Sequence, residues 1–367
     1  MCKQPAKKRI KKESTMANTR PRASDLGVHI GIFEPGPHNS ITDVSEVSVG
    51  HITICEGTGQ LQIGKGPVRT GVTAILPHQE NVFVRKVTGA VHVVNGFGKA
   101  LGFLQVQELG VIESPIVLTS TLSIWRAADA LIDYMSKNNP GVYSFNPVVG
   151  ECNDGYLNDI VGRHVRSEHI LGAIENANSP NSEEGNIGGG TGMTGFEWKG
   201  GIGTASRLCE TPQGTFTVGA LTMTNTGDPR EFRIDGTRIG RHLLPPKAEF
   251  DPTNAPGSII MVIGTNAPVD SRQLGRICRR AALGLGRAGG TASHSSGDFI
   301  IAFSNSIHPN KMDDADLTPL FIGAIESTEE AVVNSVLRAE TMVGRDGNTR
   351  HGIPIEQVRE LLSERTG

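Results

Sequence analysis

Five short apolar runs, at 87–94, 116–119, 217–223, 259–263 and 299–303, constrain this chain more than any other feature. Each is shorter than a buried helix needs to be, several are rich in β-branched residues, and turn formers bound them, so they read as buried or half-buried strands. Stretches of helical spacing lie among them. Ile124, Ala127, Ala128, Leu131 and Met135 put one apolar stripe on a sheet. Leu274, Ile277, Cys278, Ala281 and Leu285 make a second, with Arg276, Arg279 and Arg280 mostly on its other faces, where they read as solvated charge. Near the end, Ser327-Thr328-Glu329-Glu330 has the form of a capping box opening a helix over 327–343, and Ile355, Val358, Leu361 and Leu362 mark a terminal helix. No linker or repeat interrupts the alternation beyond Ala23. The expectation is one layered α/β domain over 23–367, preceded by a tail at 1–22.

Composition removes several function classes. With 37% hydrophobic residues, 20% charged residues and a net charge of −3, the chain has the profile of a soluble globular protein, and nothing points to nucleic acid or an anionic membrane as partner. No segment approaches the roughly 18 uninterrupted apolar residues of a membrane span. Five scattered cysteines, odd in number and without a Cys-x-x-Cys pair, speak against a disulfide framework and a structural zinc site and favour a reducing, cytoplasmic compartment. The nearest histidines, His164 and His169, would not share a helix face, so no metal is expected, and no cofactor either. Lys3, Lys7, Lys8, Arg9, Lys11 and Lys12 form a basic run with no apolar stretch behind it. It reads as a disordered solvated tail, with Met16 as an alternative start, ahead of a nuclear-localisation signal, and not as a secretory signal.

The chemistry gathers at Gly257-Ser258, a bond at the mouth of the 259–263 strand, and at Ser293-His294-Ser295-Ser296-Gly297-Asp298. A serine that opens a strand becomes a chain terminus if the preceding bond is cut. Its hydroxyl then sits beside a free α-amine whose reference pKa is about 7.7–8.0, a proton acceptor within the same residue near neutral pH. The bland reading of both motifs is a turn before a strand.

The surrounding motifs give the pair its meaning. In order they are Ile41-Thr42-Asp43-Val44 with Val49-Gly50-His51, Val68-Arg69-Thr70-Gly71-Val72-Thr73-Ala74, Asn95-Gly96-Phe97-Gly98, Pro115 to Thr121, Pro147-Val148-Val149-Gly150-Glu151-Cys152-Asn153-Asp154-Gly155, and Gly188-Gly189-Gly190-Thr191-Gly192-Met193. From about Ala23 to about Asn305 the chain resembles the family of the L-aminopeptidase D-Ala-esterase/amidase and the β-peptidyl aminopeptidases. That resemblance implies an αββα sandwich, shared in outline with ornithine acetyltransferases. It also implies self-cleavage into 1–257 and 258–367, chains that stay together and assemble into a homo-oligomer. It implies Ser258 as nucleophile, oriented by Ser296 and a carboxylate two residues on, here Asp298 where some members carry the longer Glu. Asn225 matches the oxyanion-hole asparagine, and Glu151 the anchor for a substrate ammonium. Asn153 stands where the D-Ala-esterase branch has a tyrosine in contact with substrate.

The implied activity is hydrolysis of small peptides, amides or esters that carry a free amine. Two other readings use the same fold: acyl transfer of the ornithine-acetyltransferase kind, whose cleavage exposes a threonine, and a non-catalytic binding protein. The loop 188–192 lacks the Gly-Lys-Ser/Thr ending of a P-loop and is expected to let backbone pass close to substrate.

Overall fold

Two stacked β-sheets carry the site. The computed structural model describes residues 20–177, 182–246, 257–308 and 310–364. The first sheet contains β1 (Ser48–Glu56), β2 (Val68–Leu76), β4 (Ala100–Leu101), β6 (Ile116–Ser120) and β7 (Val148–Cys152), in the order β1-β2-β6-β7-β4. The second contains β3 (Val87–Gly96), β5 (Val111–Ile112), β10 (Ile202–Thr211), β11 (Gly214–Asn225), β12 (Gly257–Thr265) and β13 (Ser296–Ser304), in the order β10-β11-β12-β13-β3-β5. Neighbours are antiparallel except β6 with β7 and β12 with β13, which are parallel. Two small hairpins, β8 (Thr194–Gly195) with β9 (Trp198–Lys199) and β14 (Met342–Val343) with β15 (Thr349–Arg350), lie apart from the sheets.

Alternation along each strand builds three apolar layers. Leu118, Val148 and Cys152 of the first sheet pack against Leu221, Ile260, Val262 and Phe299 of the second. On the outer face of the first sheet, Val72 and Val117 pack on α2 (Ile124–Asn138) and α3 (Ser167–Glu175) through Ile124, Ala127, Leu131 and Ile170. On the outer face of the second, Ala205, Ile259, Met261 and Ile300 meet α4 (Ser271–Cys278), α5 (Ala281–Ala288) and α6 (Thr318–Leu337). The result is the expected αββα sandwich. A short α1 (Phe103–Leu109) links β4 to β5, and α7 (Ile355–Ser363) ends the described chain. Among the described residues no helix is long and apolar enough to cross a membrane, and Cys55, Cys152, Cys209 and Cys278 are free thiols.

All five apolar runs are strands, each longer than the run itself because polar residues at the ends continue the ladder. One expectation needs correction, and two gain detail. Ser327-Thr328-Glu329-Glu330 opens no helix: it lies in the middle of α6, which starts at Thr318 and ends at Leu337, and 342–343 is strand β14. Ser327 and Thr328 donate back to the carbonyls of Gly323 and Ala324 at 2.7 Å. Glu330 is held inside by Arg207 at 2.7 Å, which hides its polar character. The second helical stripe is split into α4 and α5 at Arg279-Arg280, with Arg276 and Arg280 stacked on Phe321. The basic residues 1–19 lie outside the described residues. Within the expected tail, Arg20 and Arg22 are tied in: Arg20 donates to the carbonyls of Leu337 and Ile353, and Arg22 pairs with Glu184 at 3.0 Å.

Candidate active site

Strand register assembles the site at the mouth of the second sheet. Asn225, the last residue of β11, is paired with Ser258 on antiparallel β12, so the two side chains share a face as directly opposed residues do. Asn225 Nδ2 lies 3.3 Å from Ser258 Oγ and donates to the Asn153 carbonyl at 3.0 Å. The Thr194 N–H donates to Asn225 Oδ1 at 2.8 Å, so the amide has one orientation, NH2 toward the serine. The Ser258 hydroxyl also meets the Cys152 thiol, which burial, with Glu151 and Asp298 nearby, holds well above its ordinary pKa and therefore un-ionised.

On the other neighbour, parallel β13, Gly257 is paired with Ser296 and Ile259 with Asp298. Ser296 and Asp298, two apart, thus share the face of Gly257, while the Ser258 side chain points the other way. Ser296 Oγ donates to Asp298 Oδ1 at 2.7 Å, so the shorter carboxylate does reach its serine. With its one proton on Asp298, Ser296 accepts from Thr226 Oγ1 at 3.3 Å. A Cβ on Gly257 would stand 3.1 Å from Ser296 Oγ. The pair therefore addresses the Gly257-Ser258 backbone, and no hydrogen bond joins the Ser258 and Ser296 hydroxyls among the described residues. Asp298 is fully buried, and desolvation pushes its carboxyl up to about 6 against the Ser296 hydrogen bond.

Glu151 comes from the first sheet, next to last in β7. It is 3% exposed. Oε1 accepts the Lys99 N–H at 2.8 Å and Oε2 the Thr121 hydroxyl. Burial raises its pKa, while Thr121 and then Lys99 lower it. Gly98 lets the backbone come this close, since a Cβ there would lie 2.8 Å from the Phe299 ring and 3.3 Å from Glu151 Oε1. Among the described residues no ion pair forms on Glu151, although the Lys99 charge also favours its ionised form.

Ser258, Asn225, Asn153 and Glu151 line one cavity of about 320 Å³, with Ser296 and Asp298 buried behind it. Asn153 is exposed, its side-chain oxygen closes an Asx turn on the Gly155 N–H at 2.9 Å, and its backbone carbonyl accepts from Asn225 Nδ2. Residues 188–192 do not line the cavity. The loop approaches protein backbone instead: a Cβ on Gly189 would lie 3.0 Å from the Leu118 carbonyl, and one on Gly190 2.5 Å from Ile202 N, so the glycines serve packing between the sheets. Sequence reasoning missed Thr121, Thr194, Thr226, Cys152, Tyr156, Glu197 and Arg350. Thr121, at the end of the Pro115–Thr121 motif, and Thr226 and Cys152, adjacent to Asn225 and Glu151, carried a signal. Asn95 was noted without a role: its amide donates to the carbonyls of Ser293 and His294 and so holds the turn before Ser296.

The family model for peptidase family S58 matches residues 39–350. The chain is 39% identical over 368 residues to a β-peptidyl aminopeptidase, BapA of Sphingosinicella microcystinivorans, over 94% of this chain and 92% of that one. The solved PH0078 protein of Pyrococcus horikoshii OT3 superposes with a TM-score of 0.89 at 45% identity, over 95% of this chain and 100% of its own. The L-aminopeptidase D-Ala-esterase/amidase of Ochrobactrum anthropi, described as a new variant among the Ntn hydrolase fold, superposes with a TM-score of 0.84 at 36% identity, over 95% and 99% of the two chains. With the same sandwich, and the family match spanning both sheets, the chain belongs to peptidase family S58 and has an N-terminal-nucleophile hydrolase fold.

Proposed function

We propose that this chain is a self-processing aminopeptidase/amidase that hydrolyses small peptides, amides or esters with a free amine. The carrying observation is the Asn225 amide facing the Ser258 hydroxyl at 3.3 Å in the cavity that also holds the buried Glu151 carboxylate. In maturation, Ser258 Oγ attacks the Gly257 carbonyl carbon, the C–N bond breaks as the C–O bond forms, and the nitrogen takes the hydroxyl proton. Water then hydrolyses the ester, leaving a Gly257 carboxylate and a free Ser258 α-amine.

In turnover that amine accepts the proton from Ser258 Oγ as it attacks the substrate carbonyl, and Asn225 Nδ2 donates to the oxyanion. The leaving amine takes the proton, and water cleaves the acyl-serine. Glu151 holds the substrate ammonium, and the Asn153 carbonyl steadies Asn225. Ser296, its hydroxyl donating to Asp298, offers its oxygen to the new α-amine, which explains why the pair faces the backbone.

The two chains stay associated in this reading, because β12 and β13 of the small chain lie between β11 and β3 of the large one. Peptide substrate and chain-to-chain contact are its partners, with assembly of processed protomers into a homo-oligomer in a reducing, cytoplasmic setting. Intact mass of purified protein tests the core claim. Fragments of 257 and 110 residues (367 less 257) are expected without added protease, and both processing and hydrolysis vanish in Ser258→Ala. A protein that hydrolyses amino-terminal amides as one uncut chain overturns the mechanism.

A further inference from the structure

Beyond the nucleophile the cavity wall carries a second charged group. Arg350, at the end of β15, Glu197 and Phe196, in the turn between β8 and β9, and Tyr156 lie together, and Arg350, Glu197 and Tyr156 line the cavity with Thr194. Arg350 Nη1 is 2.8 Å from Glu197 Oε2, its Nε donates to Thr194 Oγ1 at 3.2 Å, and its guanidinium carbon stands 3.9 Å from the centre of the Tyr156 ring. Phe196 and Glu197 both hold positive φ, 51° and 62°, as a two-residue turn between antiparallel strands requires, and this turn fixes where Glu197 stands.

Contacts order the wall. Glu151 touches Lys99 and Thr121, Asn225 touches Ser258, and Thr194 touches both Asn225 and Arg350. A substrate with its ammonium at Glu151 and its carbonyl at Ser258 therefore directs its leaving portion toward Arg350. A guanidinium has five N–H donors in a fixed fork, and among the described residues Thr194 and Glu197 are the acceptors it meets. Stacked and pinned, it binds an anion at little ordering cost. Glu197 offsets part of its charge, which favours a carboxylate that arrives tethered to a substrate over free anions.

We propose that Arg350 is a specificity-determining residue that receives the carboxylate of the leaving portion, so that the preferred substrates are short peptides, dipeptides above all, with both a free amine and a free C-terminal carboxylate. This rests on the aminopeptidase reading above. The test compares kcat/KM for one dipeptide as free acid and as C-terminal amide, with the amino-acid p-nitroanilide alongside. The acid-to-amide ratio is read within each protein, so any general loss of active enzyme cancels. The wild type should favour the acid by about tenfold or more. The ratio should fall to about one in Arg350→Met, be partly kept in Arg350→Lys, and rise in Glu197→Gln. A wild-type ratio of one, or a ratio unchanged in Arg350→Met, overturns the role of Arg350 while leaving the aminopeptidase reading intact. Failure of the wild type on acid, amide and anilide alike removes both.

Discussion

Ser296 Oγ donates to Asp298 Oδ1 at 2.7 Å, while the other oxygen of that carboxylate, Oδ2, is buried without a hydrogen-bond partner among the described residues. A buried acceptor left so is costly and disfavours the ionised form, in line with the raised pKa of Asp298, and a group kept at that cost calls for a functional reason. Ser296→Ala and Asp298→Asn should each lower kcat by orders of magnitude. The double variant should lose little more than either alone, because the residues act as a unit. Small, additive losses in stopped assays would reduce the pair to a turn.

Asp298, raised to about 6, should also set a pH limb. Its ionised form keeps the Ser296 proton engaged, so kcat at saturating substrate should drop about tenfold per pH unit below 6, beyond any loss from protonation of the α-amine. Stability has the opposite sign. The folded carboxyl binds its proton more tightly than the unfolded one, so its contribution is full below about pH 4 and is lost as pH rises through about 6. Asp298→Asn should remove the limb from kcat; a limb that persists there assigns it elsewhere.

Asn225 has a donor fixed by the Thr194 N–H. Asn225→Ala should lower kcat by about 10²–10³ with KM little changed, the signature of an interaction made in the transition state. Asn225→Asp should lose more, since a carboxylate there repels the oxyanion. A loss confined to KM would make Asn225 a binding residue only.

Glu151→Gln should leave the Thr121 and Lys99 contacts largely in place but remove the charge. We expect kcat/KM for free-amine substrates to fall by about ten- to hundredfold, with self-cleavage at the wild-type rate. Equal turnover of free and N-acetylated substrates by the wild type would refute the anchoring role.

Why the site was half legible is visible in these residues. Ser258, Ser296, Asp298 and Asn225 sit beside strand ends that hydrophobic runs mark, so motif and period point to the same positions, while Glu151 was marked by its motif alone. Their mutual placement depends on register: β12 takes β11 as antiparallel and β13 as parallel neighbour, and this alone puts Asn225 on the side-chain face of Ser258 and Ser296 on its backbone side. No local pattern encodes that. Arg350 and Glu197 come from small hairpins with no apolar signature, and the α6 misreading came from polar side chains satisfied inside the helix or by distant charge: Ser327 and Thr328 by carbonyls one turn back, Glu330 by Arg207. In the glycine loop, composition showed close approach but not what approaches.

Lys199 gives a test of how the site is braced from behind. It is fully buried, and Nζ lies 3.2, 2.8 and 2.5 Å from the carbonyls of Gly190, Met193 and Gly200, all three of which the ammonium can serve and two of which the neutral amine can. Burial pushes its pKa down to about 7, with Asp154 pulling the other way. An unfolded lysine titrates near 10.4, so between about pH 7 and 10 the unfolded chain holds the extra proton. Stability from this group is therefore full above about 10 and is lost as pH falls through about 7. Lys199→Met keeps the bulk but leaves three carbonyls without their donor, so Tm should fall, and the rise of Tm from pH 7 to 9 attributable to this group should flatten. Met193 adjoins Thr194, whose N–H aims Asn225, so the folded variant should also lose kcat, by less than Asn225→Ala does. A Tm profile parallel to that of the wild type would mean the ammonium stays charged throughout, and an unchanged kcat would confine Lys199 to packing.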